Sequence, residues 1–339
     1  MQKPYIIVIG ASSGGIEPLK SILSKLPGDI NASIFIVLHV GPQKKSLLAN
    51  ILSKDSELPI TTAENNMIIK KNHVYIAPPN KHMILKKDKI ELTNGPRINF
   101  VRPSIDVLFT SAARCYKSRV IGILLSGLLD DGTAGFMDIK TAGGITIAQD
   151  PRDAMQAEMP KNAIQNSKVD FIKPANDISD LLKTQTTKQL KMPPKIKAKD
   201  KLESIIEESS HEITQTQEDE LNQIGKASVF TCPECNGTLW EIDDKHKLRY
   251  RCRIGHAYNI NSLMSTQDTF LENTLWAGVR ALEESASLSN RIFKQLKLHK
   301  NMHAANFYNQ KEKEANKHAI ELRKMILLSN FMVNKNSKD

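Results

Sequence analysis

Four segments in the first half of the chain are apolar at consecutive positions rather than at alternate ones. They are Tyr5–Ile9, Ile34–Leu38, Val120–Leu125 and Gly144–Ala148, with Asp170–Ile172 as a shorter fifth. Strands covered on both faces carry this pattern, so a parallel sheet is predicted. Between the first two, Leu19, Ile22, Leu23 and Leu26 recur at helical spacing, and Pro18 suits a first helical turn. The unit is β-α-β, and its repetition predicts an α/β, doubly wound, mostly parallel fold over residues 1–180. A middle insertion of Val74–Ile76, Met83–Leu85 and Lys89–Leu92 reads as small antiparallel strands.

The pattern then breaks. Residues 183–201 carry seven lysines, and residues 202–220 carry seven acids with no Lys or Arg. Residues 181–225 are therefore expected to be a charged linker, with a short helix over Leu202–Glu208. A compact Cys/His block follows over residues 226–260. Helical periodicity returns from Asn261 to Leu298 and from Met302 to Leu328, with Leu271, Leu275, Val279, Leu282 and Ala286 on one stripe. A break at His299–Asn301 predicts a helical hairpin over 261–332, a packing or oligomerisation element. Trp276 lies off the stripe, as a contact residue or a core one.

Composition narrows the class. Of the 339 residues, 40% are hydrophobic and 25% charged, which is ordinary for a globular protein. No apolar run approaches the ~20 residues of a membrane span, so no membrane insertion is expected. Met-Gln-Lys-Pro leads straight into the first strand without a secretory h-region, which predicts a cytoplasmic protein. The net charge of +10 could suit nucleic acid, but the lysines are dispersed and only 5% of residues are aromatic. No stacking platform is present, and no nucleic-acid partner is expected.

The first strand ends in Gly10-Ala-Ser12-Ser-Gly14, which fits G-x-S-x-G between a strand and a helix. Such a turn lifts a serine hydroxyl above the sheet edge, with the Ser13 N–H and the helix N-terminus placed for an oxyanion. Alone, the turn admits a nucleophile, an anion cradle or merely a tight bend. A dinucleotide cradle needs G-x-G-x-x-G and an acid after the second strand, whereas the glycines here are 10, 14 and 15 and the second strand ends in Leu38-His39. A Walker lysine is also missing. His39 and the Asp130-Asp131-Gly132 turn follow other strands, so a hydroxyl, an imidazole and a carboxylate share one sheet edge. That set equips acyl transfer with Ser12 as nucleophile, His39 as base and an aspartate to orient the imidazole. Asp131 is preferred to Asp130 because Gly132 beside it permits the bend. The chain order differs from that of the α/β-hydrolases.

The Cys/His block reads Cys232-Pro-Glu-Cys235, sixteen residues, then Cys252-Arg-Ile-Gly-His256. Three thiolates and one imidazole make a complete tetrahedral set, so a structural zinc in a zinc-ribbon-like module is expected, with a hairpin turning at Asp243–Lys245 between the knuckles. Metal-free core cysteines and redox use are the alternatives. Cys115 is expected to be a buried thiol.

The stretches "IGASSGG", "LHV", "VYIAPPNKHM", "VRPSIDVLF", "LLSGLLDDGTAG", "GGITIAQD" and "MPKNAI" recur in the order found in the chemotaxis protein-glutamate methylesterase (CheB) family, and the first 175 or so residues resemble its catalytic domain. The resemblance implies hydrolysis of glutamyl methyl esters on chemoreceptor cytoplasmic helices, with glutamine deamidation as a related activity and no catalytic cofactor. It carries the triad onto Ser12, His39 and Asp131. It adds backbone support at Gly127-Leu128, where the family more often has Gly-Met, and a cleft segment at Met159-Pro160, where Glu158 replaces a frequent Gly. Typical members carry an N-terminal phosphoacceptor domain. Here the first strand begins at residue 5, so control of that kind is expected to be absent, and a separate regulatory signalling protein is a second expected partner. His82 in "PPNKHM" is a second acid–base group or a structural histidine, and Arg102 a substrate contact or a loop clamp. Two other functions stay open from the residues: a non-catalytic adaptor using the zinc module and hairpin, and a nucleotide-binding α/β protein.

Overall fold

The computed structural model describes residues 3–39, 47–188, 221–244 and 247–335. The first apolar run forms β1 (Tyr5–Ala11), and every residue of it is buried. Its side chains alternate between two cores. Tyr5, Ile7, Ile9 and Ala11 enter one, and Ile6 and Val8 enter the other. An apolar residue at every position is what burial on both faces demands.

β1 lies at the centre of a seven-stranded sheet. The other strands are β2 (Ala32–Leu38), β3 (Ile60–Thr62), β4 (Val74–Ile76), β7 (Val120–Leu124), β8 (Ile145–Gln149) and β9 (Phe171–Lys173). Their order is β3-β4-β2-β1-β7-β8-β9, and every pairing is parallel. One face is covered by α1 (Ile16–Leu23), α2 (Leu48–Leu52) and α6 (Ala175–Thr186). The other is covered by α3 (Ile105–Tyr116), α4 (Thr133–Thr141) and α5 (Glu158–Asn166), together with an antiparallel hairpin of β5 (His82–Lys86) and β6 (Lys89–Thr93). This is the expected doubly wound α/β fold.

The middle insertion needs correcting. Met83–Leu85 and Lys89–Leu92 do pair antiparallel, but Val74–Ile76 joins the main sheet in parallel, between β2 and β3. Its three residues are all buried, as for any central strand. β3 went unrecognised because its side chains are only half-buried and polar at two of three positions.

The order of strands reverses at β1: β2 leaves to one side and β7 to the other. Ligand sites of open α/β sheets form at such a switch, outside the carboxyl ends of the strands. Ser12 follows β1 directly.

Residues 226–259 form a second sheet, antiparallel in the order β10 (Lys226–Thr231), β11 (Thr238–Asp244), β12 (Lys247–Cys252) and β13 (Ala257–Asn259). The expected hairpin between the knuckles is β11–β12. It extends through the Asp244–Lys247 pair, so Asp243 belongs to the strand rather than the turn. The four-stranded sheet belongs to one compact unit with the parallel sheet, residues Met1–Leu263.

A second unit spans Met264–Asp339. It contains most of α7 (Ile260–Leu298) and α8 (Met302–Lys335), close to the predicted hairpin bounds. Val279 and Ala286 of the predicted stripe are buried, but Leu271 is 57% exposed. Arg323 pairs with Glu283 and sits over the Trp276 ring, so Trp276 is a half-covered contact residue. The expected helix at Leu202–Glu208, and most of the linker, lie outside the described residues. Among the described residues no helix is long and apolar enough to cross a membrane.

Candidate active site and Cys/His centre

Ser12 and His39 reach the same edge through strand register. Ala11 of β1 is paired with Leu38 of β2, and the His39 N–H donates to the Ala11 carbonyl at 3.0 Å. The two residues are thus the first beyond neighbouring strands. The Ser12 N–H donates to the Ser126 carbonyl at 2.9 Å, which ties the serine turn to the segment after β7. Ser126 returns the tie by donating its hydroxyl to the Ser13 carbonyl at 2.8 Å.

Asp131 completes the group. His39 Nε2–H donates to Asp131 Oδ2 at 3.0 Å. The same carboxylate accepts from the backbone N–H of Ile105 (2.6 Å) and of Asp106 (3.3 Å), from the Ser104 hydroxyl (2.9 Å) and from Asn99 Nδ2 (3.1 Å). Ile105 and Asp106 open α3, so Asp131 places its negative charge on a helix N-terminus. Ser104 is the N-cap residue of α3, yet its hydroxyl serves Asp131 instead of its own helix. Burial pushes the Asp131 carboxyl up, but the His39 hydrogen bond and charge, with the Ile105 and Asn99 donors, outweigh it and hold the carboxyl below its ordinary range.

Its neighbour has another role. Asp130 accepts the Ser262 hydroxyl at 2.8 Å, and burial raises its carboxyl above the ordinary value. Gly132, at φ +96°, makes the bend that follows the aspartate pair, and a Cβ there would also strike Leu124.

The supporting segments are also in place. Gly127 donates to the Gln156 carbonyl and accepts from the Met159 N–H, so the 126–129 loop is bound to the start of α5. A Cβ on Gly127 would lie 2.8 Å from the Ser12 Cβ, so only glycine allows this approach. Leu128 beside it is exposed, while Met159 is fully buried beneath Gly127. Glu158 opens α5 as an acid in its first turn.

His82 is 2% exposed. Its Nε2–H donates to the Pro96 carbonyl at 2.9 Å, and its Nδ1 accepts from the Ser104 N–H at 3.2 Å. Burial lowers it to about 4, so the imidazole is neutral and structural. Arg102 spans Asn80 Oδ1 and the carbonyls of Asn94 and Gly95, a loop clamp. Cys115 is half-buried rather than buried.

In the second sheet, one ligand atom each from Cys232, Cys235, Cys252 and His256 lies within 4.8 Å of the others. Cys235 Sγ is 3.6 Å from Cys252 Sγ, and His256 Nδ1 is 3.5 Å from Cys252 Sγ and 3.7 Å from Cys232 Sγ. Zinc–sulfur bonds of ~2.3 Å give a tetrahedron with edges of about 3.8 Å, so the cluster has the right size for that ion. Outside it, His256 Nε2 faces Glu234 Oε2 at 3.6 Å, which leaves Nδ1 inward, as an oriented ligand imidazole requires. The Cys232 thiol is drawn down to about 3, chiefly by the hydrogen bond from Cys252 and also by those from His256 and Tyr258. The same contacts and burial push the Cys252 and Cys235 thiols up, so it is the size of the cluster and the inward imidazole that suit a cation. The residues present therefore fit a bound metal.

The partners that hold Asp131 were not singled out from the sequence, apart from its pairing with His39. Ser104 ahead of an apolar helical pattern was the one available signal, as an N-cap. Asn99 carried none, because its role depends on three remote segments.

A parallel doubly wound sheet with a serine, a histidine and a buried carboxylate at its switch point is the architecture of an α/β enzyme, with the groups that acyl transfer uses. Comparison with known proteins narrows the class. Residues 7–182, slightly more than half of the chain, match the CheB methylesterase family, and the chain belongs to that family of carboxyl-ester hydrolases. A putative protein-glutamate methylesterase/protein-glutamine glutaminase of Leptospira interrogans is 42% identical over 176 residues, 52% of this chain and 91% of that protein. The protein of that activity from Archaeoglobus fulgidus is 36% identical, over 52% of each chain. The crystal structure of the Thermotoga maritima CheB methylesterase catalytic domain superposes with a TM-score of 0.52 at 36% identity, covering 54% of this chain and 98% of that one. The matched segment ends before the Cys/His module.

Proposed function

We propose that this chain hydrolyses glutamyl methyl esters on chemoreceptor cytoplasmic helices, releasing methanol, through Ser12, His39 and Asp131. The supporting observation is the 3.0 Å bond from His39 Nε2 to a carboxylate that four further donors hold in place. With Nε2–H committed to Asp131, Nδ1 is the nitrogen that takes the Ser12 proton. Ser12 Oγ attacks the ester carbonyl, and the Ser13 N–H and the Leu128 backbone stabilise the oxyanion. His39 passes its proton to the departing methoxide, and water then cleaves the acyl-enzyme by the reverse relay. The same chemistry extends to glutamine deamidation, for which both relatives are also named. No cofactor takes part. No observation favours the adaptor reading.

The Cys232, Cys235, Cys252 and His256 set holds a structural zinc. Its four ligands close the coordination sphere, so the metal supplies folding energy to the module rather than reactivity. The proposed setting is the cytoplasm, where thiolates stay reduced.

The deciding experiment is methanol release from a methylated chemoreceptor fragment. Wild type is expected to release methanol. Ser12→Ala is expected to lose turnover by about 10⁴-fold or more with an unchanged melting temperature. Full activity in the variant would refute the mechanism.

A further inference from the structure

Asn99 is 4% exposed and is hydrogen-bonded both to the Asp131 site and to the four-stranded sheet. On one side its Nδ2 donates to Asp131 Oδ1 at 3.1 Å and to Asp106 Oδ2 at 2.9 Å. On the other, its Oδ1 accepts the Asn259 N–H at 3.2 Å, and its own N–H donates to the Ala257 carbonyl at 2.9 Å. Ala257 and Asn259 are the ends of β13, which begins one residue after the ligand His256. The amide nitrogen thus serves the site carboxylate, and the amide oxygen is held by the Cys/His module. A buried carboxamide with both ends committed cannot turn without stranding a polar group.

Neighbouring contacts run the same way. Asn99 and Phe100 both have positive φ, +50° and +64°, a conformation that an external hold must maintain. The Phe100 ring lies on Tyr258, with centroids 4.6 Å apart. Tyr258 places its hydroxyl 3.2 Å from Cys232 Sγ, inside the ligand cluster. Ile98 bridges to Ala257. Ser262, just beyond β13, holds Asp130, the residue next to Asp131.

We propose that the Cys/His module is a positioning element of the esterase, acting through Asn99 to fix Asp131 against His39. The inference rests on the assignment of Asp131 as the triad carboxylate. Its consequence is that occupancy of the cysteine cluster by a thiophilic divalent cation sets the efficiency of an ester hydrolase whose reacting atoms never touch that metal. Asn99 is a positioning residue: it stays put only while β13 does, and β13 stays put only while the cluster is closed.

The test uses the full chain in two forms, with and without Asn99→Ala, each zinc-loaded and after removal of metal by a chelator. The first readout is the strongly deshielded imidazole proton of His39 bonded to Asp131, followed by proton NMR. In zinc-loaded wild type it is expected as a sharp resonance, broadened or lost in Asn99→Ala and on metal removal. The second is methanol release. kcat is expected to fall about 10–100-fold in either condition, the scale of a misplaced catalytic group, with KM changed less than about threefold. The acid limb of the pH profile is also expected to move, which a mere loss of folded protein would not produce. The two perturbations should be non-additive: stripping metal from Asn99→Ala adds little. Additive losses, or an unchanged resonance and kcat after stripping, would overturn the proposal. Should chelation unfold the whole chain, Asn99→Ala alone carries the test through the resonance and the acid limb. Failure of wild type to hydrolyse esters, with Ser12 inert to a sulfonyl fluoride, would instead refute the esterase assignment. The imidazole resonance would still report whether the module positions Asp131.

Discussion

Asp131 and Cys232 are both nearly sealed from solvent, at 3% and 0% exposure, and donors converge on each. What stands behind them differs. Behind Asp131, the parallel sheet divides its apolar side chains between two cores of twenty-four buried residues each, and the N-terminus of α3 supplies backbone donors. Among the described residues, the core behind Cys232 has six buried residues, two of them the ligand cysteines Cys232 and Cys252, and a second cluster of Leu221, Ile224, Trp240 and Ile242 adds four more. Apolar burial contributes roughly 1.5–3 kcal/mol per large side chain, so the parallel sheet has ample packing around its charged site. The antiparallel sheet has much less to bury, and the proposed metal at its ligand set would supply the difference.

The largest expected effect breaks the first half of that contrast. Asp131→Asn keeps the shape and removes the charge that His39 and α3 share. kcat is expected to fall by about 10²–10⁴-fold, with a loss of only about 1–2 kcal/mol in stability from the helix terminus. Methanol release and thermal melts measure the two. Near-normal turnover would remove Asp131 from the mechanism.

Next in size is Cys232→Ser, which opens the other site. Stoichiometric zinc in wild type should fall to a trace, and the module should melt separately from the parallel sheet. Trp240, 6% exposed and bonded to Asn222, reports this by fluorescence in a Trp276→Phe background. A single unchanged transition and undiminished metal would show that the small sheet stands without its ligands.

The smallest effect concerns His82, between the two sites. Its imidazole is at about 4 in the folded chain, chiefly through burial, against an ordinary 6.5. The unfolded chain therefore binds the extra proton first as pH falls. The contribution of His82 to stability is complete above pH 6.5 and is lost progressively down to pH 4, by at most about 3 kcal/mol. His82→Gln is expected to flatten that part of the profile, measured as urea midpoints at neutral and acid pH. An identical pH dependence in the two proteins would show that His82 is not the group responsible.

Much of the parallel half was legible because its signals are local. β1, β2, β7 and β8 are nearly continuous apolar runs, and the serine turn carries its glycines beside it. Val74–Ile76 reads in sequence like the antiparallel insertion beside it, because three residues cannot declare a pairing direction, yet it pairs parallel. β3 was silent because its exposure is intermediate. The cysteine ligands were legible from spacing, since two short knuckles restrict their own geometry. Glu234 behind His256 was not, although it lies between the first two cysteines, because an acid in a knuckle has no fixed direction until the sheet forms.

By itself the sequence determined the β-α-β rhythm, the serine at a strand tip, the histidine and the aspartate pair at other tips, and a four-ligand cluster. Each follows from residues close together in the chain, where propensity and spacing act. Tertiary structure alone decided that Ser104 caps a carboxylate rather than its own helix, and that Asn99 ties that carboxylate to the Cys/His module. Those choices join residues 32, 27 and 160 positions apart. Buried polar groups pair with whatever donors the packing of remote segments brings within reach, and no local pattern encodes that.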